Sequence, residues 1–512
     1  MRKSVWLYTL VFGFTLAQGV SAAPTVGAER TRNLRQLDYA PLLMEYHGQT
    51  VGDSRQFFTY PRRNRDFIRD FEKVNGSSLA YFVDSLGSGT AAHHFAIAAS
   101  PLLGLDYRGG EALGDTIWPG IDGGLYLRGY VDSLDFDLDA RIYAESHSAN
   151  KAQSFDGEIF DVQNESKYSG ADYVSYARYR AHLGFNYAFA RLQLARDVMH
   201  WGPGFFNNLS LNQFALPYNM LNLDMSFGPL RVFSAYADLR VGRWGWSVEN
   251  LNDRNLYAHR YELSLFSGNL TLGMSELQVL YNENKPWLFV PIIPLFMEKG
   301  NYSELSNNGA LSFDINYRLF NAVRLYGEFF LDDMESPIAL YENEYSNNRW
   351  AGMLGVHAAH NFTIHKRTLK AGTIAEISRV EPYTYCHFGA TKAASFSLKS
   401  AMAQMANLGM PIGNPNGPNS LSVDWMFYGA LPIANWQSIF VGWRNQWLWK
   451  GTDQGSDIND EYQTVRKSFL RGAKLHYNAT PSMNYTGKFV SFMGEFTFGS
   501  DPAVFLRMMV MI

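Results

Sequence analysis

The chain has 512 residues, a formal net charge of −4, a single cysteine (Cys386) and many aromatic side chains, 15% of the total against only 18% charged. One cysteine excludes an intramolecular disulfide, and the mild acidity argues against nucleic acid as a partner. Beyond the first residues no apolar run of about 18 residues is long enough to cross a bilayer as a helix, so an apolar, Tyr-, Phe- and Gly-rich chain points instead to strands that cross a membrane.

The N-terminus reads as an export signal. Arg2 and Lys3 form a positive start, Val5 to Leu16 is almost wholly apolar, and Val20-Ser21-Ala22 places small residues before a predicted cleavage after Ala22. Cleavage there leaves 42 basic and 48 acidic residues, a net charge of −6. Residues 23–92 read as a partly helical segment. Arg62 to Val74 carries Phe67, Ile68 and Phe71 at helical spacing and stops at Asn75-Gly76, and Asn33 to His47 is a second, less regular helix candidate. This segment is expected in the periplasm or as a plug at the base of a barrel.

From residue 93 to the end the dominant signal is period-two alternation. Between Leu134 and Glu145 the residues Leu134, Phe136, Leu138, Ala140, Ile142 and Ala144 share one face, while Asp135, Asp137, Asp139, Arg141, Tyr143 and Glu145 share the other. The pattern recurs from Arg178 to Tyr187, from Leu311 to Leu319, from Val323 to Asp332 and around Ile439 to Gln446. Roughly sixteen to eighteen such segments are expected, several of about ten residues or more. That length suits a tilted membrane crossing better than the five or six residues usual in a soluble sandwich. Phe189-Ala190 and Phe320-Asn321 read as tight turns. Ser148 to Ser169, Tyr281 to Asn308, Cys386 to Ser420 and Lys450 to Tyr462 read as long extracellular loops. Trp350, Trp425, Trp443, Trp447 and Trp449 are candidates for aromatic girdles. The predicted fold is an all-β antiparallel transmembrane barrel in a Gram-negative outer membrane.

The stretch Arg191 to Leu239 is the most distinctive. Its core Ala195-Arg196-Asp197, His200-Trp201-Gly202-Pro203-Gly204, Asn207-Asn208-Leu209-Ser210-Leu211 and Ala215-Leu216-Pro217-Tyr218 resembles the Wzi family of capsule-assembly outer-membrane proteins. Leu325-Tyr326-Gly327-Glu328-Phe329-Phe330-Leu331-Asp332-Asp333 is similar to a second strand of that family. The resemblance implies an eighteen-stranded barrel with a periplasmic helical part. It also implies a lectin-like role, holding exported capsular polysaccharide at the cell surface. The expected partners are that polysaccharide and outer-membrane lipid, with no cofactor, no metal and a monomeric barrel. A passive porin or carbohydrate channel is the alternative, and an outer-membrane enzyme a third. No G-x-S-x-G elbow or H-E-x-x-H helix supports the third. His93 and His94 are adjacent, and His357 and His360 fall on opposite strand faces, so neither pair can share a metal.

The candidate polysaccharide-binding residues are Arg196, Asp197, His200, Trp201, Asn207, Asn208, Trp287 and Phe289. Trp201 offers a face for stacking on a sugar, while Arg196, Asp197 and His200 offer hydrogen bonds to hydroxyls or charged groups. The alternative is that Arg196 and Asp197 pair inside the barrel and Gly202, Pro203 and Gly204 only shape a turn into the lumen or at the rim. Trp287 to Val290 either contacts sugar or packs into the lumen. Arg178, Arg180, Arg324, Glu328, Asp332 and Asp333 are read as a lumen-facing charge network.

Overall fold

The computed structural model describes residues 40–51, 59–60, 80–86, 93–110, 118–145, 168–169, 174–215, 217–240, 254–281, 283–298, 301, 307–333, 348–387, 404–407, 410–434, 437–458, 460, 468–487 and 489–511. The expected export signal and the Arg62 to Val74 helix lie outside the described residues, as does nearly all of the predicted loop from Ser148 to Ser169.

Eighteen long strands close into one antiparallel barrel. The first six are β1 (His93–Gly110), β2 (Trp118–Val131), β3 (Leu134–Glu145), β4 (Val174–Tyr187), β5 (Ala190–Asp197) and β6 (Tyr218–Phe227). Next come β7 (Leu230–Leu239), β8 (Arg254–Leu265), β9 (Leu270–Tyr281), β10 (Asn307–Leu319), β11 (Val323–Asp333) and β12 (Arg349–Ile364). The last six are β13 (Arg367–Val380), β14 (Ser420–Ala434), β15 (Gln437–Lys450), β16 (Lys474–Thr486), β17 (Val490–Gly499) and β18 (Ala503–Met511). The barrel closes where β18 pairs with β1, from Ala503 opposite Gly110 to Met511 opposite Leu102. The other half of the same β1 edge is occupied by the short strand Ala80–Leu86. Closure leaves no open ladder, which is the condition lipid imposes on a spanning sheet.

Alternation predicts the faces. Leu134–Glu145 is one strand, and its outward residues include Leu134 and Ile142, both exposed. The outer wall shows Leu183, Phe185, Phe313, Ile315, Leu325, Trp425, Val441 and Trp443, each more than a third exposed, so the apolar belt is continuous from strand to strand. One end of the barrel is made of tight turns. Phe320 and Asn321 both take positive φ, as do His365 and Lys366, the backbone that two-residue hairpins require. The first tight turn expected at Phe189-Ala190 is centred one residue earlier, with Ala188 at φ +42° and Ala190 already in β5. The opposite end carries the long connections.

The described N-terminal helix, α1 (Ala40–Val51), overlaps the Asn33 to His47 expectation but starts later. It lies inside the barrel near the tight-turn end. The Gln49 carbonyl accepts from Arg318 at 3.1 Å. His47 bonds Asn361 Oδ1 at 2.7 Å and the Tyr428 hydroxyl at 2.9 Å, and Thr50 meets His357 Nδ1 at 3.0 Å. His357 faces inward and His360 outward against Phe362, as the strand period requires.

Candidate functional site

The connection between β5 and β6 folds inward. After Asp197 the chain turns into the lumen, and residues 198–215 lie among the inner side chains of β6 to β14. Gly202 permits this turn. Its φ is +122°, and a Cβ there would lie 2.7 Å from Asn208 Oδ1 and 2.9 Å from Glu328 Oε2.

Two inward carboxylates hold the segment by its backbone. Glu376 on β13 accepts the N–H groups of Phe205, Phe206 and Asn207 at 2.5, 2.9 and 2.9 Å, and the Tyr326 hydroxyl at 2.7 Å. Glu328 on β11 accepts from the N–H groups of Leu209 and Ser210 at 2.8 and 2.9 Å and from both the Ser210 and Ser312 hydroxyls. A run of buried irregular backbone needs partners for its donors, and two buried carboxylates need donors in return; each satisfies the other.

The side chains complete the network. Asn208 Oδ1 accepts from Gly204 N at 2.8 Å, and its Nδ2 donates to the Trp201 and Leu211 carbonyls. Asn207 Nδ2 donates to Asp424 at 2.8 Å, while its Oδ1 accepts from the hydroxyls of Ser378 and Ser422. His200 bonds Gln213 through Nδ1 and the Tyr46 hydroxyl of α1 through Nε2, the latter at 2.5 Å. Trp201 is 2% exposed and packs against Phe233. His200, Trp201, Asn207 and Asn208 are thus brought together, with their polar atoms and the indole face turned into the fold.

Arg196 and Asp197 part company. They are neighbours on one strand, so one faces out and one in. Arg196 lies on the outer wall, 5.1 Å over the half-exposed Tyr179 ring. Asp197 faces the lumen, accepts from Val198 N and sits 3.4 Å from Arg180. The alternative of an Arg196–Asp197 pair inside the barrel is therefore corrected.

Trp287 and Phe289 do not pack into the lumen, the second of their two expectations. Residues 283–298 fold back along the outer wall of β7 to β10, not into the lumen. Phe289 O accepts from Ser234, Pro291 O from Tyr261, and Leu288 packs with Tyr257, Leu280 and Leu295. Tyr257, Tyr261 and Ser234 are the outward members of their strands, since Leu256, Ala258 and Ala235 join the inner core. Trp287 is 50% exposed under the Lys285 ammonium.

The predicted charge network spreads over several places. The side chain of Arg178 lies outside the described residues. Arg180 faces Asp197 on the β2–β5 wall. Arg324 is fully buried between the rings of Tyr46 and Tyr326, 4.4 and 4.5 Å from their centroids. Asp332 accepts from Tyr385 N at 2.7 Å, and Asp333 pairs with Arg349 at 3.0 Å near the rim.

Residues of the long-loop end close over the inward segment. Tyr385 O–H donates to the Leu209 carbonyl at 2.9 Å and accepts from Asn414 N, and Asn212 N donates to the Ile412 carbonyl. Burial pushes the Tyr385 phenol well above its ordinary pKa, and likewise the Cys386 thiol, which donates to the Asp457 carbonyl. The Gly/Pro/Asn stretch 413–419 belongs to this cap: Gly417 and Asn419 take positive φ, and Asn414 and Asn419 are fully buried. Sequence reasoning did not single out Glu376 or Tyr385, and it reached Asn414 only as part of the Asn/Gly/Pro loop around Gly413. For Glu376 the available signal was a lone carboxylate on the inward face of an alternating strand.

No family model matches the chain, and no curated protein matches it. Among solved structures, Wzi of Escherichia coli, an outer-membrane protein involved in group 1 capsule assembly and a carbohydrate-binding β-barrel, aligns over 91% of this chain and 96% of its own. The TM-score is 0.53 and the identity 12%. The likeness is one of fold. A BenF-like porin of Pseudomonas fluorescens aligns over 81% of this chain and 98% of its own at a TM-score of 0.43 and 7% identity. OccK2 of Pseudomonas aeruginosa, solved with glucuronate, aligns over 81% and 96% at 0.41 and 9%.

The wall of β2 to β5 contrasts with the filled side. Its inward charges, Asp137, Asp139, Arg141, Arg180, His182 and Asp197, pair within a strand, as Arg141 does with Asp139, or across neighbouring strands, as Arg180 does with Asp197, but stay partly open to solvent. Asp139 and Arg180 side chains are 33% and 34% exposed.

Proposed function

We propose that this chain is an exported outer-membrane barrel of a Gram-negative envelope that holds extracellular or capsular polysaccharide at the cell surface, a lectin-like role without chemistry. In this reading residues 1–22 are the removed signal, 23–92 a periplasmic, partly helical segment, and 93–512 a monomeric barrel. The observation that carries it is the filling of the lumen. From the tight-turn end to the long-loop end, α1, the 198–215 segment and the 381–387 and 410–419 cap occupy the side walled by β6 to β15. Material spent on blocking a pore suits retention at the surface better than passage. The fold shared with a carbohydrate-binding barrel supports the same reading. Of the candidate residues near the long-loop end, Asp197 keeps accessible surface inside the barrel for a polymer, Arg196 lies on the outer wall, and His200, Trp201, Asn207 and Asn208 hold the segment that fills the lumen. Contacts of this kind are individually weak and gain from repetition along a polymer.

The test is surface polymer in a deletion strain. The proposal expects polymer to move from the cells to the medium without change in the total made. Unchanged retention would remove the polysaccharide role and leave the barrel. A second reading, a narrow conduit for charged solutes, is favoured by the partly open rows of Arg141 and Arg180 against Asp137, Asp139 and Asp197.

A further inference from the structure

The outer wall carries one stretch that the lipid belt does not explain. On β7, β8 and β9 the outward residues of the half nearer the long loops include Ser234, Asn255, Tyr257, His259, Tyr261, Glu276 and Gln278. His259 and Glu276 face each other across the β8–β9 ladder, with Nδ1 and Oε2 3.8 Å apart and side chains 0% and 6% exposed. A bare polar stripe of this kind on a lipid-facing wall is costly, by several kcal/mol per ionisable group at mid-membrane depth.

The strap of residues 283–298 covers it. Its backbone turns polar atoms toward the wall: Leu295 N donates to Glu276 at 3.3 Å, the Glu283 carbonyl accepts from Asn255, and Pro291 and Phe289 carbonyls accept from Tyr261 and Ser234. Its other side is apolar. Ile292 is 85% exposed, Met297 76%, Trp287 50%, Phe296 45% and Val290 42%. An exposed apolar group of this size on one short segment marks an interaction surface.

We infer that the strap is a membrane-seated element whose outer side, built from Trp287, Val290, Ile292, Phe296 and Met297, is solvated by the acyl chains of the outer leaflet. The inference rests on the outer-membrane reading. Its occupant follows from continuity. Tyr261, on which Pro291 rests, is paired along the ladder with Met274, and Met274 with Phe313. Phe313, Ile315, Leu272 and Leu263 form the exposed belt of the same strands directly beside the strap. The apolar surface thus passes from the wall onto the strap without a polar break. Lys285 lies 5.4 Å over the Trp287 ring at the strap's start. An amphipathic aromatic ring under a cation suits the boundary between acyl chains and anionic headgroups. The arrangement works as a two-sided adapter, which places a desolvated polar stripe behind a lipid-compatible cover.

The experiment uses the full chain in lipid vesicles with a nitroxide attached at Ile292→Cys, and at Ile315→Cys as a belt reference. Both sites are exposed, so neither variant disturbs packing, and buried Cys386 is checked with unsubstituted protein. The inference expects both nitroxides to be relaxed more by molecular oxygen, which partitions into lipid, than by a water-soluble nickel chelate. Oxygen preference at Ile315 with nickel preference at Ile292 overturns the strap inference and leaves the barrel reading standing. Nickel preference at both sites overturns the membrane reading itself. Low access to both reagents at Ile292 with spin–spin broadening, set against oxygen preference at Ile315, means a second copy covers the strap and also overturns the inference.

Discussion

The inner walls of β8–β14 and of β2–β5 start from the same sequence pattern and end differently. Both put charged side chains on the face opposite the belt. On the first wall Arg260 donates to Asp314 and Glu262, and all three side chains are fully buried. On the second, Arg180 and Asp197 remain 34% and 23% exposed at 3.4 Å. Burial extends to the foot of the second wall, where Arg191 and Asp135 pair at 2.6 Å with almost no exposure. The difference is not in the strands but in what fills the space before them. Where the 198–215 segment arrives, its free backbone donors turn lumen carboxylates into structural posts. Where nothing described arrives, the same residue types remain solvated pairs of small energetic weight.

Substitutions sharpen this contrast. Glu376→Ala has the largest expected effect, because it strands three buried N–H groups and the Tyr326 hydroxyl at once. A loss of about 3–5 kcal/mol is expected, read as a lower temperature for the heat-induced gel shift of the folded barrel in detergent. Asn207→Ala removes an amide that ties Asp424 to Ser378 and Ser422, and should cost about 2–3 kcal/mol by the same measurement. Gly202→Ala forces a side chain into positive φ and against Asn208 and Glu328, at about 1–3 kcal/mol. Arg180→Ala on the solvated wall should change stability by less than about 1 kcal/mol. An Arg180 effect as large as that of Glu376 would erase the distinction between the two walls.

Much of the fold was legible because alternation in a closed barrel is a local property. Leu134–Glu145 is a single strand with the predicted faces, and Phe320-Asn321 is the predicted turn. A sharp turn at Trp201-Gly202-Pro203-Gly204 was legible from its glycines, but whether it ran into the lumen or along the rim, and what it met, was not. Glu376 lies more than 160 residues from the backbone it binds, and no spacing rule joins them. The strap was hidden for a different reason. The half of β8 nearer the long loops is buried on both faces, by the inner core on one side and residues 283–298 on the other, so His259 and Tyr261 blur the alternation that marks its neighbours. Arg196 and Asp197 show the converse: the strand period alone separates them, and only proximity in sequence suggested a pair.

Single-barrel conductance in a planar bilayer tests the filled lumen most directly. The account predicts that the purified, refolded full chain inserts without opening a large steady ohmic current, in contrast to an open porin barrel of similar strand number. A large, sustained conductance step on every insertion would contradict it.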